Sequence, residues 1–378
     1  MSVSSLVQLI EQVSAKPILD AAPTEDRGLA DGLPYPFMAL VGQMEMKTAL
    51  LLTLINPACN GVLLIGPRGI GKTTAVRSLT DLLPMIPRSL CEYGCMPEDI
   101  ETEGIDAVCA NCAKKYGEGQ PLIRVEPVAI VELPLNARLE DVVGGLDEGA
   151  ALRKRAMLQR GILARADRNL LYVDEVNLLA DDIVDAILDA AAQGQYNLKR
   201  GPLSATFRAR FALIGSMNPE EGRLRPQMMD RFGMRLIVRG LTEPAERLEA
   251  YRRVRAYLTN PRAAVAAFAN ETLAARDEIQ NARALLPSVK LSVAAEKAGL
   301  DLVQHLKIDS LRAEITLFES ARAYAAADNR TEATPADVKA VAPMALRLRR
   351  SKFMEEYFNN QHTEETEIMS VIETVIPE

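Results

Sequence analysis

A glycine-rich segment at residues 66–73, GPRGIGKT, has the residue types and spacing that bind a nucleoside triphosphate. It follows an apolar run at 62–65 and precedes helix-forming residues, the strand–loop–helix order that gives the pattern G-x-x-x-x-G-K-[ST] its meaning. In such a loop, backbone N–H groups surround phosphate oxygens, and the helix N-terminus adds partial positive charge. Lys72 can reach the β- and γ-phosphates, and the Thr73 hydroxyl can bind Mg²⁺. The alternative for this segment alone is a glycine-rich turn.

Two acidic residues, Asp174 and Glu175, end a second apolar run at 169–175, NLLYVDE. Parallel strands of a doubly wound sheet bring their C-terminal ends to one edge, so we expect this pair to face the nucleotide. Asp174 can then bind Mg²⁺, directly or through water, while Glu175 orients the attacking water or accepts its proton. The alternative is a strand end that meets solvent, where acidic residues are common.

Polar residues also follow a third apolar run, at 211–215. Asn218 could hold the attacking water near the γ-phosphate, although Asn-Pro also begins ordinary turns. Arg223, Arg225 and Arg231 lie close together after it. An arginine supplied to a neighbour's nucleotide stabilises the charge of phosphoryl transfer; the alternative is a set of surface arginines on a loop.

The elements that position these residues alternate between strands and helices up to residue 240 and are only helical afterwards. This order predicts an α/β fold, a P-loop NTPase core with a parallel sheet flanked by helices, followed by an α-helical C-terminal domain. The expected divisions are an N-terminal arm, a nucleotide-binding domain, a helical linker, a helical lid and an acidic tail, at residues 1–36, 37–240, 241–285, 286–358 and 359–378. The nucleotide-binding domain is expected to carry three inserts: an irregular cysteine-rich segment at 88–121, a helical insert at 136–165 and a hairpin at 195–212.

Composition limits the classes of partner. The chain of 378 residues has 44 Lys+Arg against 51 Asp+Glu, no Trp and 4% aromatic residues. This balance argues against a partner bound through a phosphate backbone or stacked bases, so no nucleic acid is expected. The N-terminus lacks the features of a signal peptide, and no apolar run approaches the length of a transmembrane segment. These features predict a cytoplasmic protein.

Four of the five cysteines form two pairs, Cys91-x₃-Cys95 and Cys109-x₂-Cys112, separated by thirteen residues. This is the spacing of a four-thiolate zinc knuckle. Three interpretations stay open: structural Zn²⁺, a redox-sensitive thiol set, and unligated thiols in a reduced cytosol. Cys59, outside the cluster, is expected to pack in the core.

Six segments in order over residues 37 to about 350 resemble the I subunit of magnesium chelatase, a family of AAA+ ATPases of chlorophyll and bacteriochlorophyll synthesis. They are FMALVGQMEMKTALLL, GPRGIGKTTAVR, LEDVVGGLD, GILARADRNLLYVDEVNLL, NPEEGRLRPQMMDRFGM and LKIDSLRAEI. The DEVNLL and RPQxxDRFG blocks are specific to that subunit and its close relatives.

By position, the resemblance implies the site residues. Walker A would comprise Gly66, Pro67, Arg68, Gly69, Ile70, Gly71, Lys72, Thr73 and Thr74, and Walker B would comprise Asp174 and Glu175. Asn218 would be sensor 1, Arg231 the arginine finger and Arg312 sensor 2. Val41 and Gly42, in the turn before the first helix, are also assigned to the nucleotide site. The cofactors would be ATP and Mg²⁺.

The resemblance further implies a hexameric ring of this chain with a nucleotide at each subunit boundary. Inserts 136–165 and 195–212 would project toward the partner D subunit, and the porphyrin-binding H subunit would complete the machine. ATP hydrolysis in the ring would drive Mg²⁺ insertion into protoporphyrin IX elsewhere. His305 and His362, far apart in sequence, are then ordinary polar residues.

Two other functions share this motor. One is an AAA+ remodelling ATPase that acts on a von Willebrand-domain partner outside tetrapyrrole synthesis. The other is a nucleic-acid helicase or transcription motor, which only the hairpin supports and which the acidic balance opposes.

Overall fold

The computed structural model describes Leu6, Gln8 and Ile10, and residues 33–91, 93–146 and 158–350. The expected acidic tail 359–378 and most of the arm 1–36 lie outside the described residues. The same holds for residues 147–157 of the helical insert, for the end of the lid after residue 350 and for His362.

The described elements alternate between strands and helices up to residue 240, as predicted. The part after residue 240 is not only helical, because Lys290–Leu291 and Glu332–Ala333 form a short parallel strand pair. The strands are β1 (Val62–Ile65), β2 (Met85–Ser89), β3 (Ile123–Pro127), β4 (Ile130–Leu133), β5 (Gly144–Leu146), β6 (Leu158–Arg160), β7 (Leu170–Val173), β8 (Gln195–Arg200), β9 (Leu203–Arg208), β10 (Ala212–Met217), β11 (Met234–Ile237), β12 (Lys290–Leu291) and β13 (Glu332–Ala333). The helices are α1 (Met44–Ile55), α2 (Lys72–Arg77), α3 (Pro97–Glu103), α4 (Ala110–Gly117), α5 (Leu139–Val143), α6 (Ile162–Arg165), α7 (Asp181–Gln193), α8 (Pro226–Met229), α9 (Pro244–Thr259), α10 (Pro261–Ala266), α11 (Ala269–Leu285), α12 (Val293–His305), α13 (Arg312–Ala327) and α14 (Pro335–Leu346).

Five strands form a central sheet in the order β11–β1–β10–β7–β4, and every neighbouring pair is parallel. All residues of β1, β7 and β10 are buried. Strands covered on both faces have near-continuous apolar sequences, which is why these three runs could be recognised. The predicted α/β fold with a parallel sheet is confirmed.

Each face of the sheet has its own apolar core, because successive side chains of a strand point to opposite faces. Val62 and Leu64 belong to a core that also contains residues of α1 and of the C-terminal helices. Leu63 and Ile65 belong to a second core, which α7 covers. The C-terminal helices therefore pack against one face of the nucleotide-binding domain, and α13 contacts α1, α12 and α14.

The cysteine-rich insert differs from the irregular segment that the sequence predicted. Strands β2 and β3 pair in antiparallel orientation on either side of it, and α3 and α4 lie inside it. Residues 127–133, PVAIVEL, have the apolar sequence of one buried strand. Only Ile130–Leu133 joins the central sheet, as β4. Before it, the N–H of Val128 donates to the carbonyl of Pro84 and that of Ala129 to the Asn169 side chain.

Within insert 136–165, the described residues form two short helices, α5 and α6, with an antiparallel β5–β6 pair between them. Most of the segment expected to be helical after Gly144 and Gly145 lies outside the described residues. Gly144 has φ +105°, and a Cβ there would lie 2.3 Å from the carbonyl oxygen of Gln159. Glycine at this position therefore permits the close approach of β5 to β6. The hairpin at 195–212 forms as predicted, from β8 and β9.

Candidate nucleotide-binding site

The glycine-rich loop connects the C-terminal end of β1 to α2, which begins at Lys72. Gly69 and Gly71 have φ values of +78° and +89°, a region that side chains disfavour, and a Cβ at either position would meet no atom within 4 Å. The loop thus has a positive-φ backbone beside open space, as a phosphate cradle requires. Gly66 is constrained differently, since a Cβ there would lie 2.3 Å from the carbonyl oxygen of Val238.

Lys72 folds back over the loop. Its side chain is 9% exposed, and Nζ donates to the carbonyl oxygens of Gly66 at 2.5 Å and Pro67 at 2.8 Å. Burial lowers the pKa of Lys72, although Asp174, Glu175 and Glu221 oppose this effect. The ammonium group is therefore held by two backbone carbonyls, and it can exchange these hydrogen bonds for hydrogen bonds to phosphate oxygens.

Thr73 and Asp174 are joined directly. The Thr73 hydroxyl donates to Asp174 Oδ2 at 3.1 Å, and the hydroxyls of Tyr172 (2.8 Å) and Ser216 donate to Oδ1. Burial by itself would raise the pKa of Asp174, but these three hydrogen bonds hold the pKa below its ordinary value. The carboxylate stays ionised, and with the Thr73 hydroxyl it forms an oxygen pair of the kind that Mg²⁺ prefers.

Glu175 and Asn218 follow β7 and β10 at the same edge of the sheet. Glu175 adopts the left-handed conformation at φ 50°, and its N–H donates to the hydroxyl of Ser216 at 3.1 Å. Asn218 is 2% exposed and donates to Glu221 Oε1 at 2.9 Å. Strand β10 lies between β1 and β7, so Asn218 is placed between the glycine-rich loop and the acidic pair.

Arg68 links the loop to the acidic residues. Its guanidinium forms an ion pair with Glu221 and approaches Glu175 Oε1 at 3.5 Å. The Oε2 atom of Glu221 is buried and has no hydrogen-bond partner among the described residues. A bound cation or donor would satisfy that oxygen.

The turn at Val41 and Gly42 reaches the loop through the next residue. Gln43 Nε2 donates to the carbonyl oxygens of Ile70 at 3.1 Å and Arg239 at 3.2 Å. The structure thus places the predicted turn against the glycine-rich loop, beside the strand β11.

Arg231 and Arg312 are not brought to this loop. They line one cavity of about 310 Å³ together with Gly61, which precedes β1, and Leu213 at the start of β10. The glycine-rich loop follows the other end of β1, about 13 Å away at ~3.3 Å per residue. Arg231 pairs with Asp189 of α7, and Arg312 with Asp230 at 3.2 Å. The two arginines therefore face a different side of the molecule from the phosphate loop of their own chain.

Sequence reasoning missed Tyr172, Ser216 and Glu221. Tyr172 stands two residues before Asp174 in a strand, a spacing that puts both side chains on one face. Ser216 is a polar residue inside an otherwise apolar strand, two positions before Asn218. Both signals were present in the sequence, whereas Glu221 lies in a loop with no periodicity.

The residues present fit ATP and Mg²⁺. The open space beside Gly69 and Gly71 suits a phosphate, and Lys72 supplies the positive charge. The Thr73–Asp174 pair supplies oxygen ligands for the metal ion.

The four clustered cysteines lie away from this loop, in the insert between β2 and β3. Their Sγ atoms are all within 4.8 Å of one another. Cys59 is buried elsewhere, in the core that contains α1, as predicted.

Comparisons with known proteins agree with the geometry. Two domain families match parts of the chain: the MCM P-loop domain over residues 148–236 and the AAA lid domain over residues 300–371. The chain is 40% identical over 335 residues to the magnesium-chelatase subunit ChlI homolog of Methanocaldococcus jannaschii, covering 88% of this chain and 90% of the relative. It is 42% identical over 317 residues to the magnesium-chelatase 38 kDa subunit of Acidiphilium rubrum, covering 83% and 90%.

A solved structure shares the fold at lower identity. A Cytophaga hutchinsonii protein described as a candidate ATPase is 20% identical, with a TM-score of 0.52 over 83% of this chain and 84% of that chain. Within the described residues, no helix is long and apolar enough to cross a membrane.

Proposed function

This chain belongs to the magnesium-chelatase I-subunit family of AAA+ ATPases, and from that premise we propose that it is the ATP-hydrolysing motor of a magnesium chelatase. In this proposal a ring of six copies hydrolyses ATP at each boundary. The work drives Mg²⁺ insertion into protoporphyrin IX with D and H subunits, in chlorophyll or bacteriochlorophyll synthesis.

The observation that carries the proposal is the division of the site over two sides of the chain. Lys72, Thr73 and Asp174 lie at the C-terminal edge of the sheet, whereas Arg231 and Arg312 share a cavity at the opposite edge. In a ring, the arginine cavity of one copy can face the glycine-rich loop of the next copy. Each nucleotide would then meet an arginine of its neighbour.

The roles of the residues follow from their positions. The N–H groups of residues 68–74 and the ammonium of Lys72 hold the phosphates. Gly66 and Pro67 begin the loop, and Val41 and Gly42 lie beside it. Thr73 and Asp174 hold Mg²⁺, which neutralises phosphate charge when bound. Glu175 accepts a proton from the attacking water, and Asn218 orients that water.

The arginines complete the site from the neighbouring copy. Arg231 is the finger and Arg312 is sensor 2, and their positive charges stabilise the charge that develops on the phosphoryl oxygens. The lid from residue 286 would carry Arg312 and the linker 241–285 would join it to domain 37–240. The four cysteines add a candidate Zn²⁺ site that takes no part in hydrolysis.

Reconstitution tests the proposal. The chain is mixed with candidate D and H subunits, protoporphyrin IX, Mg²⁺ and ATP, and Mg-porphyrin fluorescence is followed. We expect product with ATP and none with a non-hydrolysable analogue or with Glu175→Gln. The D and H subunits are first shown to work with another I subunit. If this chain then hydrolyses ATP but no Mg-porphyrin forms, the result would instead favour a remodelling ATPase that acts on a von Willebrand-domain partner.

A further inference from the structure

We propose that Cys91, Cys95, Cys109 and Cys112 bind one Zn²⁺ as four thiolate ligands, in a structural site that holds the insert between β2 and β3 against the β8–β9 hairpin. The proposal is independent of the ATPase function, since none of these residues lies at the nucleotide loop.

The positions of the sulfur atoms suit one tetrahedral ion. Four thiolates at ~2.3 Å from Zn²⁺ are about 3.8 Å apart from one another. All four Sγ atoms lie within 4.8 Å of one another, and those of Cys91 and Cys109 are 3.6 Å apart. Two disulfides would instead separate the sulfurs into two bonded pairs, whereas here the four converge on a common point.

The backbone around the sulfurs is arranged as in a metal knuckle. Gly94, at φ +76°, closes a turn in which its N–H donates to the carbonyl of Cys91 at 3.1 Å. The N–H of Tyr93 donates to Cys91 Sγ at 3.4 Å, and that of Cys109 donates to Cys95 Sγ at 3.3 Å. Hydrogen bonds of this kind stabilise thiolate charge and fix the direction of each ligand.

The second pair of ligands comes from a helix. Cys109 is the N-cap of α4, and Cys112 lies in its first turn. Residues three apart are neighbours on a helix surface, so both thiols face the first pair. One pair of ligands lies in the turn that follows β2, and the other lies at the start of α4. The ion would therefore cross-link these two segments of the insert.

Besides the cysteines, the described apolar residues that the insert between β2 and β3 buries are Met96 and Leu122. Its apolar cluster contains three buried residues, Cys95, Cys112 and Leu122, and α3 buries none of its residues. So small an apolar cluster contributes little burial, and in small folds of this kind a metal ion commonly supplies the cross-link. An ion bound by the four sulfurs would therefore add substantially to what holds the insert together.

The turn that carries Cys91 and Cys95 contacts the β8–β9 hairpin. Arg208, at the end of β9, donates to the carbonyl of Gly94 at 2.8 Å and pairs with Asp99 at 2.6 Å. The ring of Tyr93 stacks on Phe207 with centroids 5.7 Å apart. The turn that carries two of the ligands is thus the same turn that packs on the base of the hairpin.

The donor set selects the metal and its role. Soft thiolate ligands favour Zn²⁺ over Mg²⁺ or Ca²⁺, and four protein ligands leave no position open for water or substrate. The site is therefore structural rather than catalytic.

Elemental analysis of the full-length protein, purified under reducing conditions and treated with one equivalent of ZnCl₂ before desalting, tests the proposal. We expect about one zinc per chain in the native protein and nearly none in the Cys109→Ser/Cys112→Ser double variant. The matched control is Cys59→Ser, which removes a buried thiol elsewhere and should keep its zinc. A native chain that retains no zinc, with four free thiols or two disulfides by mass spectrometry, would overturn the proposal.

A second measurement on the native chain does not depend on a variant that folds. Co²⁺ in place of Zn²⁺ should give the visible absorption of tetrahedral cobalt thiolate. Removal of Zn²⁺ by a chelator should speed tryptic cleavage at Lys114 and Lys115 in α4, while nucleotide binding in excess Mg²⁺ is retained. Unchanged cleavage, or cobalt spectra without thiolate bands, would count against the site.

Discussion

Arg349, whose side chain is fully buried, donates a hydrogen bond to the carboxylate of Asp230 at 2.8 Å. Asp230 lies near the end of the predicted nucleotide-binding domain 37–240 and Arg349 near the end of the described lid. Asp230 directly precedes the proposed finger Arg231. The same carboxylate accepts from Arg235 at 3.0 Å and from Ser310 at 2.9 Å. Asp230 therefore fastens the end of the lid to the segment that holds the finger.

The charge of Asp230 is maintained by these contacts. Burial would raise the pKa of Asp230, but the hydrogen bond from Ser310 and the charges of Arg349 and Arg235 hold it below its ordinary value. Asp230→Asn would leave two buried guanidinium groups without their counter-charge. We expect a loss of about 3 kcal/mol in the free energy of unfolding, measured by urea denaturation.

The control for Asp230→Asn is Asp189→Asn, which removes the partner of Arg231. Asp189 is more than half exposed, and exposed ion pairs contribute less than ~1 kcal/mol. Equal stabilities of the two variants would contradict the role given to Asp230.

The sheet could be predicted from the sequence because β1, β7 and β10 are buried on both faces and therefore apolar throughout. Strands β2 and β3 could not. Their sequences, MIPRS and IRVEP, contain proline and charge, and they are mostly exposed or half-buried. Only their pairing with each other makes them strands.

The residues of the candidate site also differ in how far the sequence predicts them. Lys72, Thr73, Asp174 and Glu175 lie in short motifs whose chemistry depends on adjacent residues, so a local pattern indicates them. The contact between Asp230 and Arg349 joins positions 119 apart in the chain. No local pattern in the sequence indicates a partner at that distance.

Lys72 and Glu175 should separate binding from hydrolysis. Lys72→Ala removes the charge that faces the phosphates, and we expect it to lose both ATP binding and turnover. Glu175→Gln keeps the shape of the side chain but cannot accept a proton, so ATP should still bind while turnover falls by about 100-fold or more. Nucleotide titration and phosphate release measure the two effects.

Glu220→Gln is the matched acid-to-amide control. Glu220 is exposed and lies two residues after Asn218, so its replacement should keep most of the activity. Full turnover by Glu175→Gln would remove Glu175 from the chemistry.

Arg231 should act on the nucleotide of an adjoining copy. Arg231→Ala and Lys72→Ala are each expected to be inactive alone. In mixed assemblies, some boundaries combine an intact loop from one copy with an intact finger from the other, so ATPase activity should partly return. Arg312→Ala, in the same cavity, should behave as Arg231→Ala does.

The control mixture is Lys72→Ala with Glu175→Gln. Both changes affect the same side of the boundary, so every site stays defective and no activity should return. If Arg231→Ala and Lys72→Ala form confirmed mixed assemblies that stay inactive at every ratio, the arginine does not act across the boundary.

Lys47 should make stability depend on pH. It is 1% exposed, and its Nζ donates to the carbonyl of Leu40 at 2.5 Å. Burial lowers the pKa of Lys47 from 10.5 to about 7, and Arg253 acts in the same direction while Glu246 opposes it. The unfolded chain therefore binds a proton at this residue from about pH 7 to pH 10 that the folded chain does not bind.

Stability rises with pH wherever the unfolded state binds more protons, so the Lys47 contribution should rise by up to ~1.4 kcal/mol per pH unit above pH 7. Lys47→Met has no such proton to lose. Urea unfolding of both proteins at pH 7, 8 and 9 should show native stability rising relative to Lys47→Met. Lys339→Met, at an exposed position of α14, is the control for the substitution itself. A native-minus-variant difference that is flat between pH 7 and 9 would mean that Lys47 keeps its proton in the folded protein, with its burial offset by the groups around it.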